Sequence, residues 1–436
     1  MRALTKLIYN DMRPALGVTE PGAIAFAVAK AREQTSGNLL KINLILNSGM
    51  YKNAFTCGIP NSSKIGNEYA AALGFLAADA SRGLECLDTI RAADNRAAES
   101  LVKSGKVQVQ LGEISSKIYI RAEVITDKGS AAVTIRDAHT NITEIIRNDE
   151  VIFSTNSTNA NDERQPTTPA IHKYSLSQII SYINNVPADE IAFIDKAYEL
   201  NLALFEQALK SRRTTITPYL YRENGSQTIS TDEQKTATLL CNGAIEARVL
   251  GLSRPAMSIT GSGAHGIIAT LPLYASAQVN GFSHERLRRA TALSYLICMY
   301  IKEYSGKLSA FCGCAIAAGT GMACALAWLK GASNRQISLV IRNMASSITG
   351  MICDGGNHGC TMKGVVAVDA AYRSVNLALN DISIDAAHGI NGRTPEETMR
   401  NMGLIASHGM VQTEGTIVDI MRGKMRTGDK NPIQNK

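Results

Sequence analysis

The chain has 436 residues, of which 45% are hydrophobic, 19% charged and 5% aromatic, with a net charge of +7. That length allows a large core and two or three structural units, and the composition is that of a folded soluble protein, which excludes disordered and fibrous classes. The positive charge is scattered, its longest clusters being Arg286 to Arg289 and the 422–430 tail, and aromatic platforms are scarce, so nucleic acid is not expected as a partner.

The first residues carry no long apolar run and no small-residue cleavage site, so the expected location is the cytoplasm. Nine cysteines, an odd number without framework spacing, argue against a disulfide scaffold and leave thiols free to act as ligands.

Taken in order, residues 1–31 read as helix interrupted at Leu16 to Gly22, with Thr19 as N-cap and Pro21 in the first turn of a buried helix running to Gln34. Leu39 to Leu46 alternates and is a strand; Asn47 to Lys64 is a glycine- and asparagine-rich loop; Ala70 to Asp79 is an alanine-rich helix. From Val107 the period becomes two, and four strands with turn signals at Gly112, at Asp127 to Gly129 and at His139 to Asn141 form an antiparallel unit. Ser154 to Thr168 reads as a linker. From Ser175 onward the periodicity is helical, with glycine-rich breaks at Ser258 to Gly266, Cys353 to Gly359 and Gly389 to Pro395.

Within that helical half, Leu308 to Leu329 is 22 residues without a charge. A membrane span is one reading of such a stretch, but its Gly, Ser, Thr and Cys content and the lack of a second one favour a buried central helix of small residues that lets other backbones approach closely. A second helix covers Ser338 to Ile352. The expected fold class is therefore α+β, a large helical body with a smaller antiparallel β-rich unit in the N-terminal third, divided as 1–100, 101–155 and 156–436.

Five of the nine cysteines, Cys312, Cys314, Cys324, Cys353 and Cys360, fall in this region. Cys353 to Cys360 reads Cys-Asp-Gly-Gly-Asn-His-Gly-Cys, a flexible loop with a thiol at each end. Its spacing matches no short zinc or ferredoxin pattern, and free core cysteines are the plain alternative. Three thiolates would suit a four-iron cluster with one open iron, with zinc as the rival metal. The turn Ser258 to Gly266 offers backbone amides and His265 to a carboxylate or phosphate, although no strand clearly precedes it; a tight turn with a solvent-facing histidine is the plain alternative.

Five segments together resemble the L-cysteine desulfidase family, relatives of the iron–sulfur L-serine dehydratase alpha chain. They are PALGVTEPGAIAFA from Pro14, MYKNAFTCGIP from Met50, MSITGSGAHGIIATLP from Met257, GKLSAFCGCAIAAGTGMA from Gly306 and GMICDGGNHGCTMK from Gly350. The resemblance implies a lyase that eliminates across the Cα–Cβ bond of a small amino acid, L-cysteine giving pyruvate, ammonia and hydrogen sulfide, on a [4Fe-4S] cluster. It implies Cys353, Cys360 and one of Cys312 and Cys314 as ligands, with Cys312 preferred. Asn53, Ser262, Gly263 and His265 would bind substrate, and Thr19, Glu20 and His358 would be catalytic. Relatives carry a cysteine, resembling a proton acceptor, where this chain has Val18. Activity is therefore impaired unless Glu20 or His358 replaces it. An L-serine ammonia-lyase and a non-catalytic paralogue that binds a cluster or an amino acid are the other two readings. No membrane is expected as a partner, and a homo-oligomer is a possibility.

Overall fold

Alternation of apolar and polar residues builds one six-stranded sheet, and small-residue helices build the body against it. The computed structural model describes residues 2–155 and 169–426. The first part holds helix α1 (Ala3–Asp11), strand β1 (Arg13–Leu16), α2 (Thr19–Arg32), β2 (Leu39–Leu46), α3 (Ser48–Asn53), α4 (Asn67–Leu76) and α5 (Ala92–Lys103). Strands β3 (Val107–Leu111), β4 (Tyr119–Thr126), β5 (Gly129–Arg136), β6 (Ile142–Arg147) and β7 (Glu150–Ser154) follow. The helical half contains α6 (Leu176–Asn185), α7 (Asp195–Lys210), α8 (Ile216–Glu223), α9 (Glu233–Val249), a short β8 (Pro255–Ser258) and α10 (Gly263–Asn280). It continues with α11 (His284–Ser305), a π turn (Cys314–Ala318), α12 (Gly319–Leu329), α13 (Asn334–Ile348), α14 (Gly359–Leu379), α15 (Pro395–Leu404) and α16 (Val411–Arg426). The architecture is α+β.

The sheet order is β3-β2-β4-β5-β6-β7, with β2 parallel to β3 and every other pair antiparallel. Ile42, Leu44 and Leu46 of β2 and Ile120, Ala122 and Val124 of β4 are fully buried, and α2 packs against β4 and β5. The sheet thus reaches outside the 107–154 stretch and takes in β2, because its alternating face needs the same cover. Stretch 101–155 holds five strands, one more than the periodicity suggested.

Three other local expectations are corrected. The N-terminal helix breaks into β1, whose residues Arg13 to Leu16 pair antiparallel with Pro255 to Ser258; Gly17 at φ +67° then turns the chain into α2. That pairing also supplies the strand before the 258–266 turn, which its four residues hid from periodicity. The 47–64 loop contains the six-residue α3.

The central helix begins later than its composition suggests. Residues 308–313 are not helical, because they pair with the segment that follows α13: Cys312 N donates to Met351 O (3.0 Å), Cys353 N to Ala310 O (2.6 Å), and Phe311 bridges Ile352. From Gly319 the small-residue expectation holds. A methyl group on Gly321 would collide with Ser294 O of α11, so the two helices touch backbone to backbone. One hydrophobic core is continuous from α2 and the sheet through α9 and α10 to α12. The 156–168 part of the expected linker lies outside the described residues.

Candidate active site

The β1–β8 ladder, the end of α3 and the 310–353 pairing draw together segments far apart in sequence. At the start of α2, Glu20 is buried, and its Oε1 accepts from Asn53 Nδ2 at 2.9 Å, while His139 Nε2 stands 3.8 Å away. Burial opposes the charge, yet His139, Asn53 and Arg248 outweigh it and hold the carboxyl down at about 2. Val18, not Thr19, is the N-cap of α2 and has no side-chain cap to offer; Thr19 Oγ1 instead donates to Gly261 O at 3.3 Å.

The turn after β8 is pinned on both sides. Ser258 Oγ donates to Arg13 O (2.6 Å), and Thr260 N donates to the half-buried Asp11 carboxylate. Thr260 Oγ1 donates to Ile259 O at 2.8 Å and lies 2.5 Å from His265 Nδ1. Helix α10 then starts at Gly263 with no side chain capping it. His265 is buried, not solvent-facing, and burial together with the nearby cations of Lys302 and Arg248 pushes its imidazole well below the ordinary value, so it is neutral.

The thiols come from the start of the π turn and the residues just before it (Cys314, Cys312), the loop after α13 (Cys353) and the first turn of α14 (Cys360). Cys312 is buried, while Cys314, Cys353 and Cys360 are partly so. The Cys312 thiol is pushed up by its contact with Cys314 and by burial; burial and then neighbouring Cys353 push Cys360 up to about 12. Lys363 is ion-paired with Asp354 and lies within electrostatic reach of Cys312, Cys353 and Cys360. Lys52 Nζ donates to Cys353 O at 2.8 Å and steadies that end of the loop. No group of three or more His, Cys, Asp or Glu that could hold a metal ion occurs among the described residues.

Between these segments lies a cavity of about 190 Å³, faced by Glu20, Asn53, Ser262, His265, Cys314 and Cys353. Asp11, His139 and Lys302 also reach its wall. Of the residues singled out in the sequence, Thr19, Gly263 and Cys312 are not on this wall. Cys360 and His358 do not face it: His358, 43% exposed along its side chain, bonds through Nε2 to Glu246 Oε1 at 2.8 Å. Asp11, His139, Arg248 and Lys302 were not anticipated. His139 sits in a β-turn, and its meeting with Glu20 is visible only in three dimensions. Arg248 and Lys302 stand in the last turns of α9 and α11, where a cation reads as an ordinary helix-end charge, so nothing in the sequence marked them.

The family described as serine dehydratase alpha chain matches residues 81–419. A "UPF0597 protein" of Clostridium botulinum (strain Okra / Type B1) is 39% identical over 422 residues, covering 96% of this chain and 98% of the relative. "UPF0597 protein TTE0269" of Caldanaerobacter subterraneus subsp. tengcongensis is 34% identical over 422 residues, with 97% and 98% covered. "UPF0597 protein YhaM" of Escherichia coli O9:H4 (strain HS) is 34% identical over 421 residues, with 96% of each covered. No helix among the described residues is long and apolar enough to cross a membrane. The chain belongs to the serine dehydratase alpha-chain family.

Proposed function

We propose that this chain is an iron–sulfur lyase that eliminates hydrogen sulfide from L-cysteine, which with water gives pyruvate and ammonia. The observation that carries this reading is the cavity itself. It sets a permanently charged carboxylate, Glu20, and a neutral imidazole, His265, on one small space with Cys353, at a size suited to a three-carbon amino acid.

Cys312, Cys353 and Cys360 would hold the [4Fe-4S] cluster. The donor chemistry fits: contact with Cys314 and burial oppose ionisation of Cys312, burial and then a neighbouring thiol oppose that of Cys353 and Cys360, bound iron relieves this cost, and a cluster, being larger than an ion, does not need three donors closed on one point. When bound, the cluster supplies a Lewis-acidic iron that polarises the substrate.

The chain's own residues do the rest. A carboxylate held at about 2 is a weak base and a durable anion, so Glu20, oriented by Asn53, holds the substrate ammonium. The Thr260 hydroxyl proton is engaged by Ile259 O. His265 Nδ1 therefore donates to Thr260 Oγ1, and Nε2 keeps a lone pair to take the Cα proton. His358, bonded to Glu246 away from the cavity, is left a structural role.

Val18 is the observation that favours the alternative of a non-catalytic binder, since valine cannot accept a proton where relatives carry cysteine. The test is anaerobic reconstitution with iron and sulfide followed by assay of L-cysteine and L-serine. The proposal expects pyruvate and sulfide in equal amounts from L-cysteine, faster than pyruvate from L-serine. Pyruvate from L-serine alone would reassign the substrate, and none from either would leave the binder.

A further inference from the structure

Among the described residues, the buried cations Arg248 and Lys302 are bonded to no carboxylate. Arg248, in α9, is 4% exposed, forms no ion pair there, and its Nε has no hydrogen-bond partner; the Glu20 carboxylate acts on it only through space. Lys302, in α11, is 5% exposed, and its ammonium donates to a backbone carbonyl, Lys307 O at 3.3 Å. Burying a charge without a bonded counter-charge costs several kcal/mol, so a fold that retains two is arranged for an anion that comes from outside.

Lys302, His265 and Ser262 face the cavity of about 190 Å³; Arg248 is not on its wall but lies against the start of α10, next to Ser262. A Cβ built on Gly263, the first residue of the 18-residue α10, would stand 2.7 Å from Arg248 Nε, so the guanidinium lies directly under the amide-rich start of that helix. On the other side, a Cβ on Gly313 would meet His265 Nε2 at 2.8 Å and Lys302 Cδ at 3.1 Å. His265 therefore stands between the two cations, and both push its imidazole down. Two of the three acids on the cavity wall are already committed, Glu20 to Asn53 and His139 and Asp11 to Thr260 N, and the third, Asp137, is exposed.

We propose that Arg248 and Lys302 form, with the N-terminus of α10 and Ser262, the receptor for the α-carboxylate of the substrate. The inference rests on the reading of the cavity as an amino-acid site and makes that site selective for α-amino acids over the corresponding amines. It also couples binding to chemistry. A carboxylate between the two cations offsets the charges that depress His265 and raises the basicity of Nε2 when a Cα proton is present to be taken.

Calorimetric titration of the purified protein with L-cysteine, cysteamine and pyruvate tests this without turnover. The account expects L-cysteine and pyruvate to bind and cysteamine, which lacks the carboxylate, to bind at least tenfold more weakly than L-cysteine. Arg248→Gln should weaken pyruvate at least tenfold, and Arg248→Lys should recover part of it. Lys302→Met, on a different helix, gives the same readout if Arg248→Gln does not fold. Cysteamine binding as tightly as L-cysteine, or pyruvate binding unchanged in either folded variant, overturns the proposal. A protein that binds pyruvate in this way yet forms none from L-cysteine would refute the lyase reading and keep the receptor; turnover of L-cysteine with equal cysteamine affinity would do the reverse.

Discussion

Lys52 Nζ lies 2.6 Å from Glu414 Oε2, and the two side chains are 1% and 5% exposed. The pair ties α16, near the C-terminal end of the described chain, to α3, and the same ammonium donates to Ser309 O and Cys353 O. All three of its protons are therefore engaged, and the helix that bears Glu414 becomes a brace for the thiol loop. Removing one partner strands the other charge in the interior. Lys52→Met should lower the unfolding free energy by about 3–5 kcal/mol, and Lys52→Met with Glu414→Leu by clearly less. Urea denaturation measures both; a single variant within about 1 kcal/mol of the parent would refute the brace.

Glu246 closes the start of α8 from another helix. Its carboxylate accepts from the backbone N–H groups of Thr215, Ile216 and Thr217 and from His358. Burial opposes its charge, but these bonds outweigh it and hold the carboxyl at about 2 against an ordinary 4.5. The folded form therefore binds fewer protons than the unfolded chain between those values. The stabilisation is full above pH 4.5 and is lost as pH falls toward 2, with a ceiling of about 3 kcal/mol. Glu246→Gln should cost roughly 2 kcal/mol at pH 7 and distinctly less at pH 3 by chemical denaturation. An equal loss at both pH values would contradict the assignment.

Much of the frame was legible in the sequence. Period-two alternation in Leu39 to Leu46 and from Val107 gave the sheet, and the charge-free run around Gly321 gave the close helix contact. The parts that were missed depend on partners distant in the chain. Residues 308–313 look helical in isolation and are straightened by pairing with Met351 to Cys353, a contact across some forty residues. The same holds at the site, where the motifs around Glu20, Asn53, His265 and Cys353 stood out. His139 and Lys302 did not, because only the fold brings a sheet turn and the end of α11 to the cavity.

The backbone contact at Gly321 gives a paired test of packing. Gly321→Ala should cost about 1–3 kcal/mol, because Ser294 O cannot move away without displacing α11. Gly415→Ala, in α16 with open space around it, should be neutral or stabilise by about 0.5–1 kcal/mol through helix propensity alone. Thermal unfolding that ranked the two the other way would overturn this reading of the core.

Val18 decides which group takes the proton. Its Cγ1 would lie 2.7 Å from a Cβ on Gly356, so the side chain packs on the loop between Cys353 and Cys360. With His265 as base, Val18→Cys should change sulfide release by less than about threefold, whereas His265→Gln should lower it by about 10²–10⁴ with the fold retained by circular dichroism. A large gain in Val18→Cys would return the proton to that position and remove His265 from the mechanism.

Cys312, Cys353 and Cys360 together would hold a four-iron cluster, and iron content with the visible spectrum after anaerobic reconstitution tests it. The account predicts about four irons per chain and a broad charge-transfer absorption. Both should be lost in Cys353→Ala, Cys360→Ala and Cys312→Ala and kept in Cys314→Ala. A parent protein that takes up no iron, or a Cys353→Ala variant that takes up as much as the parent, would contradict it.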